Sequence, residues 1–399
     1  MTNSRRAAFA LLAAPVVLMS CPAPAQETAR QTVEIAYIDR SGDPFYRSAA
    51  GYTGVLRKDR ISPFAAAELA IKDGAASGRA IGVTFAVFRV SLTEREDAVA
   101  AVQAAARRPG VAAAILDLPA DDMLRVATAL KAEPIALFNA RDRSDALRLA
   151  ACGTGLFHTL PSWSMLQDAL AQALLELNWR RVLVLQGPGE EDQIVAKAFE
   201  ASAKKFGLRV VEVRPFVPGN DPRKRYQSNV RLLTGNADYD AILVADTDGE
   251  FGRYVPYNTA RPRPIVGTTG LVPMAWHSYW ERHGAPQLNR RFARTTGRLM
   301  SDEDWATWIA VRSVIDAMLL NRAAAPAGLR AALLDSELKL ELYKGFPGSF
   351  RPWSQQLRQA ILLATHDAVI SIAPVEGALH QRNNLDTLGP DQPEFHCAR

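Results

Sequence analysis

The sequence predicts an α/β protein of two similar lobes, each a parallel sheet flanked by helices, joined by multiple crossovers. Three observations predict it. Strand-like and helix-like runs alternate from Val33 onward. One of the strand-like runs, VAAAILDL, is mostly apolar without polar alternation, which marks a sheet covered on both faces. The alternating series then starts again near residue 156 and runs to a similar length, so there are two such units rather than one. A chain of 399 residues is long enough for two lobes, and 48% hydrophobic against 22% charged residues is ordinary for a globular protein with a real core.

Residues 1–25 read as an export signal. Arg5 and Arg6 precede the apolar run AAFALLAAPVVLM, and Ala23-Pro24-Ala25 supplies small residues where a signal peptidase cuts. The run is too short to span a membrane. A buried helix there would have to hold Pro15 and meet Pro22 and Pro24 at once. Leu18-Met19-Ser20-Cys21 loosely resembles a lipobox, and Ser4-Arg5-Arg6 with Phe9 a twin-arginine signal. Export to the periplasm without a lipid anchor at Cys21 is the preferred reading. Cleavage deletes two arginines and no acid, taking the net charge from +5 to +3. With dispersed bases, no nucleic-acid partner is expected. Cleavage also leaves Cys152 and Cys397, for which one disulfide is favoured over two separate thiols in an oxidising compartment.

The first series begins with the strand VEIAYID. Ser62-Pro63 is expected to cap a helix ending near Gly74 to Gly78, followed by the strand AIGVTFAVFRV. Thr93 with Glu96 predicts a capping box for a helix to Arg107. VAAAILDL is a strand buried on both faces, Asp121 opens the next helix, Pro134 stops it, and PIALFNA is the next strand. The second series runs LFHTLPS, the helix WSMLQDALAQALLELN, RRVLVLQ, a helix from Gln193 to Phe206, LRVVEV, a helix around Arg223 to Leu233, YDAILVAD and PRPIVGTT. Helices at Glu303 to Asn321 and Ala327 to Leu334, then the β-rich AILLATHDAVISIAP, must return to one lobe or the other. The resulting division is lobe 1 at 32–155 plus 286–340, lobe 2 at 156–285 plus 341–376, and a polar tail at 377–399.

Two stretches carry a family resemblance. AAAELAIKDGAASGRAIGVTFAVF is similar to the first helix and second strand of type I periplasmic solute-binding proteins, and LFHTLPSWSMLQDALAQALLELNWRRVLVLQG resembles their first interlobe crossing. GLVPMAWHSYWERHGAPQLNRRF, FPGSFRPWSQQLRQAILLAT and EGALHQRNNLDTLG resemble a narrower subfamily. It is associated with alcohol dehydrogenase systems that use pyrroloquinoline quinone (PQQ), and its members tend to end in a Cys-containing tail. The resemblance implies a periplasmic substrate-binding protein that takes a small-molecule ligand between its lobes and hands it to an ABC permease. A quinoprotein dehydrogenase would be the second partner.

A ligand in such a fold would lie at the carboxyl ends of the strands. The candidates are Asp39, Asp117, Asn139 and Arg141 in lobe 1, and Gln186, Asp246 and Thr268 in lobe 2. Amino-acid binders of the wider family place a Ser or Thr hydroxyl pair and backbone amides at the third and fourth strand ends. Asp117 and Asn139-Ala140-Arg141 stand there instead, which counts against an amino acid. Arg141 suits a bidentate grip on a carboxylate or phosphate, or else belongs to a solvated charged loop with Asp142, Arg143 and Asp145. Asp117 and Asp246 suit hydroxyls or amines, and Asp39 and Asp246 have a helix-capping alternative. Trp276, Tyr279 and Trp280, with His277 and His283 nearby, have the spacing of a helix face packed on the core. A stacking wall is the alternative, and Trp305 and Trp308 invite the same choice.

Catalytic readings are weaker. GPGEED imitates a dinucleotide fingerprint, but Asp192 takes the third glycine's place, and Glu190, Glu191 and Asp192 would repel a pyrophosphate. HExxH, P-loop and Gly-x-Ser-x-Gly patterns are absent, and Asp246 to Glu250 is only a fragment of a calcium loop. The expectation is therefore a non-enzyme without cofactor or metal. Its rival is an accessory or sensor protein of the quinoprotein dehydrogenase system that keeps the fold without transporting anything.

Overall fold

The computed structural model describes residues 31–46, 60–219, 221–321 and 326–398. The signal expected at 1–25, with Cys21, and the last residue of the tail lie outside the described residues.

The first sheet has the order β2-β1-β3-β4-β5, from β1 (Gln31–Arg40), β2 (Val83–Leu92), β3 (Val111–Asp117), β4 (Ala136–Asn139) and β5 (Leu156–His158), all parallel. β3 is VAAAILD and every residue of it is buried, as an alternation-free strand between two helix layers must be. One layer is α2 (Ala98–Ala106), α3 (Ala120–Ala129) and α4 (Asp145–Ala150). The other combines α1 (Phe64–Ala80) with the chain-distant helices considered below.

The second sheet has the order β7-β6-β8-β9, also parallel. Its strands are β6 (Arg181–Gln186), β7 (Arg209–Pro215), β8 (Ala241–Ala245) and β9 (Ile265–Gly267). α5 (Trp163–Glu176) and α6 (Glu190–Phe206) cover one face. The other carries the short helices α7 (Arg225–Ser228), α8 (Val230–Leu233) and α9 (Val255–Asn258).

The chain then returns to lobe 1. α10 (Ala285–Thr296), α11 (Asp302–Leu320) and α12 (Leu329–Leu333) pack with α1, burying Leu288, Phe292, Trp305, Ile309 and Ile315 beside Ala66 and Leu69. It comes back through β11 (Ser349–Phe350) and β12 (Leu357–Arg358). β13 (Ile361–Ala364) and β14 (Val369–Ala373) form an antiparallel sheet with β10 (Val272–Met274), packed on α5. The chain thus crosses between lobes at residues 159–162, at 275–284 and between α12 and β13.

Several expectations shift. β5 pairs with β4 and closes the first sheet, instead of opening the second series, because its LFH carbonyls and amides continue the lobe 1 ladder. Trp276 and Trp280 lie in an irregular turn, not on a helix. Their rings are buried in the lobe 1 core and their indole N–H groups donate to Asn289 Oδ1 (2.8 Å) and Tyr343 O (2.8 Å). The lobe boundary drawn at 285 therefore falls after residues that pack with lobe 1. Ser62 caps nothing: α1 begins after Pro63 with no side-chain cap. Glu96 does accept from the Thr93 amide, but α2 starts later and is capped by Asp97.

The crossings are tied to one another. His158 N donates to Gln355 O (2.9 Å), and Gln356 Nε2 donates to the carbonyls of His158 (3.1 Å) and Leu160 (2.9 Å). Gln359 Nε2 donates to Thr159 O (2.8 Å). The tail runs over α5 and α6, where Gly389 N and Lys205 Nζ both donate to Asp168 Oδ2 (2.8 and 2.9 Å). It ends on lobe 1 in a Cys152–Cys397 disulfide with a Cα separation of 5.6 Å. No helix among the described residues is long and apolar enough to cross a membrane.

Candidate functional site

The carboxyl ends of both parallel sheets open on one cleft of about 600 Å³. Lobe 1 contributes Leu118-Pro119-Ala120, Arg141 to Ser144, and Asp302 and Glu303 at the start of α11. Lobe 2 contributes Trp163, Gln167, Glu190, Glu191, Asp246, Thr247 and Thr268.

The lobe 1 wall rests on a buried carboxylate. Asp117, at the end of β3, accepts from Tyr37 Oη (2.6 Å) and from Tyr46 Oη (2.7 and 2.8 Å). Burial pushes its carboxyl up to about 6, against the pull of the tyrosine hydroxyls and of Arg141. Arg141 lies over it, with Nη1 3.7 Å from Asp117 Oδ1, and grips Asp43 through Nη1 (2.6 Å) and Nη2 (3.3 Å). The Phe45 ring sits between two guanidinium groups, Arg141 at 4.2 Å and Arg60 at 4.3 Å. Arg141 is thus a buried, paired group rather than part of a solvated loop.

Asn139 does local work. Its Oδ1 accepts from the amides of Arg141 (3.0 Å) and Asp142 (2.8 Å), and its Nδ2 donates to Asp142 O (2.9 Å), fixing the turn that presents Arg141 and Arg143. Arg143 Nη2 donates to Asp302 Oδ2 (2.8 Å) and Glu303 Oε1 (3.5 Å). Asp302 in turn accepts from the amides of Ala275 (3.1 Å) and Trp276 (2.7 Å), so the crossing and α11 are joined at the cleft.

On the lobe 2 wall, Asp192 in the first turn of α6 accepts from Gly189 N (3.0 Å) and from the amide and hydroxyl of Thr247 (2.7 Å each). A Cβ at Gly187 would lie 2.2 Å from Asp192 Oδ2, so glycine there is what lets this carboxylate reach Thr247. Asp246 Oδ2 accepts from Gly252 N (2.6 Å), closing its own loop, and its amide donates to Thr268 Oγ1 (3.0 Å). Glu191 opens toward the cleft. The surrounding wall raises its pKa, countered by Arg60 and Arg143.

Arg141, Asp246 and Thr268 therefore line the cleft, and Asp117 lies directly beneath Arg141. Asn139 is buried behind the wall. Asp39 is held by Arg89 Nε (2.9 Å), by Arg89 Nη2 and by Ser91 Oγ (2.7 Å), away from the cleft, and caps no helix. Gln186 is half-buried at the end of β6 and is not among the lining residues. Sequence reading missed Arg143, Trp163, Gln167, Glu191, Asp302 and Glu303 as a site. The available signal was the position of Glu191 and Asp302 in acidic first turns of helices. Among the described residues no group of three or more His, Cys, Asp or Glu is placed to share a metal ion.

Comparison with solved structures gives the same architecture repeatedly. An ABC transporter substrate-binding protein from Sphaerobacter thermophilus superposes with a TM-score of 0.67 at 16% identity, over 86% of this chain and 98% of that one. The fold is that of the type I periplasmic binding proteins. The leucine-, isoleucine-, valine-, threonine- and alanine-binding protein from Brucella ovis, in a closed conformation, matches with a TM-score of 0.64 at 12% identity, over 86% and 92%. A branched-chain amino acid transporter substrate-binding protein from Streptococcus pneumoniae, in complex with isoleucine, matches at 0.59 and 16%, over 86% and 98%. No family model matches the chain, and no curated protein matches it. At these identities the likeness is one of fold.

Proposed function

We propose that this chain is the periplasmic substrate-binding component of an ABC-type transport system, exported by its N-terminal signal. It closes two lobes on a small solute, delivers it to a permease and carries out no catalysis of its own. The observation that carries this reading is the cleft of about 600 Å³, lined by strand ends and helix starts of both lobes. A ligand touching both walls favours the closed arrangement by its differential affinity for it. The solute-binding proteins that share the fold support the reading.

The link to a PQQ-dependent alcohol dehydrogenase system rests on the resemblance of three C-terminal segments. Two of them, FPGSFRPWSQQLRQAILLAT and EGALHQRNNLDTLG, contribute nothing to the cleft lining. Gln356 and Gln359 brace the crossings and Leu385 and Leu388 are buried, so these segments serve the fold and do not bear on the ligand.

The test is a thermal-shift titration of the full chain, unfolded and refolded to strip bound solute, with the small-molecule extract of the source cells. Binding to the native state raises the melting temperature by mass action. A saturable rise supports the solute receptor. No rise with intact folding transfers the assignment to an accessory protein of the dehydrogenase system.

A further inference from the structure

Two of the three arginines lining the cleft are already neutralised from within, and the third, Arg60, is exposed at its rim over the Phe45 ring. Arg141 is paired with Asp43 and faces Asp117, while Arg143 is paired with Asp302 and Glu303, two acids to one base. Three helices begin at the cleft, and a helix start is ordinarily an anion site. Here each carries its own acids in the first turn: Asp121 and Asp122 in α3, Glu190 to Asp192 in α6, and Asp302 to Asp304 in α11. A fourth helix, α5, has its Ser164 and Met165 amides taken by Asp145 and Ser162.

Among the buried side-chain polar atoms of the described residues that find no hydrogen-bond partner, two belong to side chains lining the cleft. Gln167 is 1% exposed, and its Oε1 is an acceptor with no donor. Arg143 Nη1 is a donor with no acceptor. An orphaned buried polar atom is costly, so these two indicate what a ligand could bring. One requirement is a donor for Gln167 on the wall that also carries Glu191. The other is an acceptor for Arg143 that adds no third negative charge beside Asp302 and Glu303.

We propose that the cleft selects a small organic cation: an ammonium-type donor placed on Gln167 Oε1 beside Glu191, with a neutral hydroxyl or carbonyl oxygen accepting from Arg143 Nη1. This rests on the solute-binding reading above and names the ligand class for it. An inorganic cation is disfavoured, since the lining acids are not grouped to chelate one. Inside the cleft a free carboxylate or phosphate would meet Arg141 and Arg143 already paired and helix starts already acidic.

The test separates the same cell extract by ion exchange at pH 7 into cationic, anionic and uncharged-or-zwitterionic fractions. Each is titrated onto the stripped full chain by thermal shift. The cationic fraction is expected to give the saturable rise, and the other two none. Gln167→Leu should weaken the apparent affinity for that fraction roughly tenfold. Gln167→Glu, which keeps the acceptor and adds charge, should retain or tighten it, so a misfolded leucine variant does not decide the matter. A rise from the anionic or zwitterionic fraction overturns the ligand class and leaves the solute receptor standing. No rise from any fraction removes both.

Discussion

On the lobe 1 wall Asp117, Tyr37, Tyr46, Arg141 and Asp43 satisfy one another in a closed network, whereas on the lobe 2 wall the Asp246 carboxylate accepts from the backbone of its own loop and Glu191 faces the opening with no hydrogen bond among the described residues. Each wall lies at the ends of a parallel sheet, yet one is internally committed and the other keeps charge in reserve. The difference teaches that position at a strand end does not make a group available to a ligand. The network around Asp117 in lobe 1 supplies a rigid shape, and Glu191 in lobe 2 supplies a charge that a ligand can still compensate.

The contrast can be broken most forcefully at Arg141. Arg141→Ala leaves Asp43 and Asp117 buried beside each other without their cation, and should lower the unfolding free energy by about 3–5 kcal/mol in urea titrations. A loss below about 1 kcal/mol would mean the lobe 1 network is not the self-contained unit described here.

Asp117 gives the next effect, through pH. Its folded pKa of about 6 lies above the unfolded value, so the folded state holds the proton more tightly. Stability from this group is fully present below about pH 4 and is lost as pH rises through about 6, by roughly 3 kcal/mol. The stability of wild type relative to Asp117→Asn should therefore fall across that window and be flat outside it. A difference independent of pH would refute the burial argument.

Asp192 sharpens the comparison within lobe 2. Asp192→Ala removes the carboxylate shared by Gly189 and Thr247, and should cost about 1–2 kcal/mol by thermal denaturation. Smallest of all, Glu191→Gln should change stability by no more than about 0.5 kcal/mol, because its carboxylate makes no hydrogen bond or close ion pair among the described residues. A loss matching that of Asp192→Ala would show that lobe 2 holds no charge in reserve.

How much of this was legible in the sequence divides along the same line. Parallel sheets announce themselves locally, since an alternation-free VAAAILD between two helical periods can hardly be anything else. The return of α10 to α12 to lobe 1 was also readable in outline, because a long apolar helix after the second series needs a core. Arg141, Asp246 and Thr268 were reachable because they follow strands directly. Arg143 was seen only as part of a charged loop, because its partners Asp302 and Glu303 lie 159 and 160 residues further along the chain. Gln167 sits inside a helix that reads as ordinary core, and only the packing of α5 at the cleft exposes its significance. β5 was assigned to the wrong series because a three-residue strand carries no record of which neighbour it pairs with.

The disulfide at the end of the tail has a mechanical consequence. Cys152 and Cys397 close a loop spanning 245 residues, so the second sheet, the returning helices and the tail all lie inside one covalent ring. A molecule stretched from residue 31 to residue 398 can pay out only the segment ahead of Cys152, however completely it unfolds. Reduction would release a further contour length of roughly 850 Å at about 3.5 Å per residue, which single-molecule extension would read as a large step dependent on reductant.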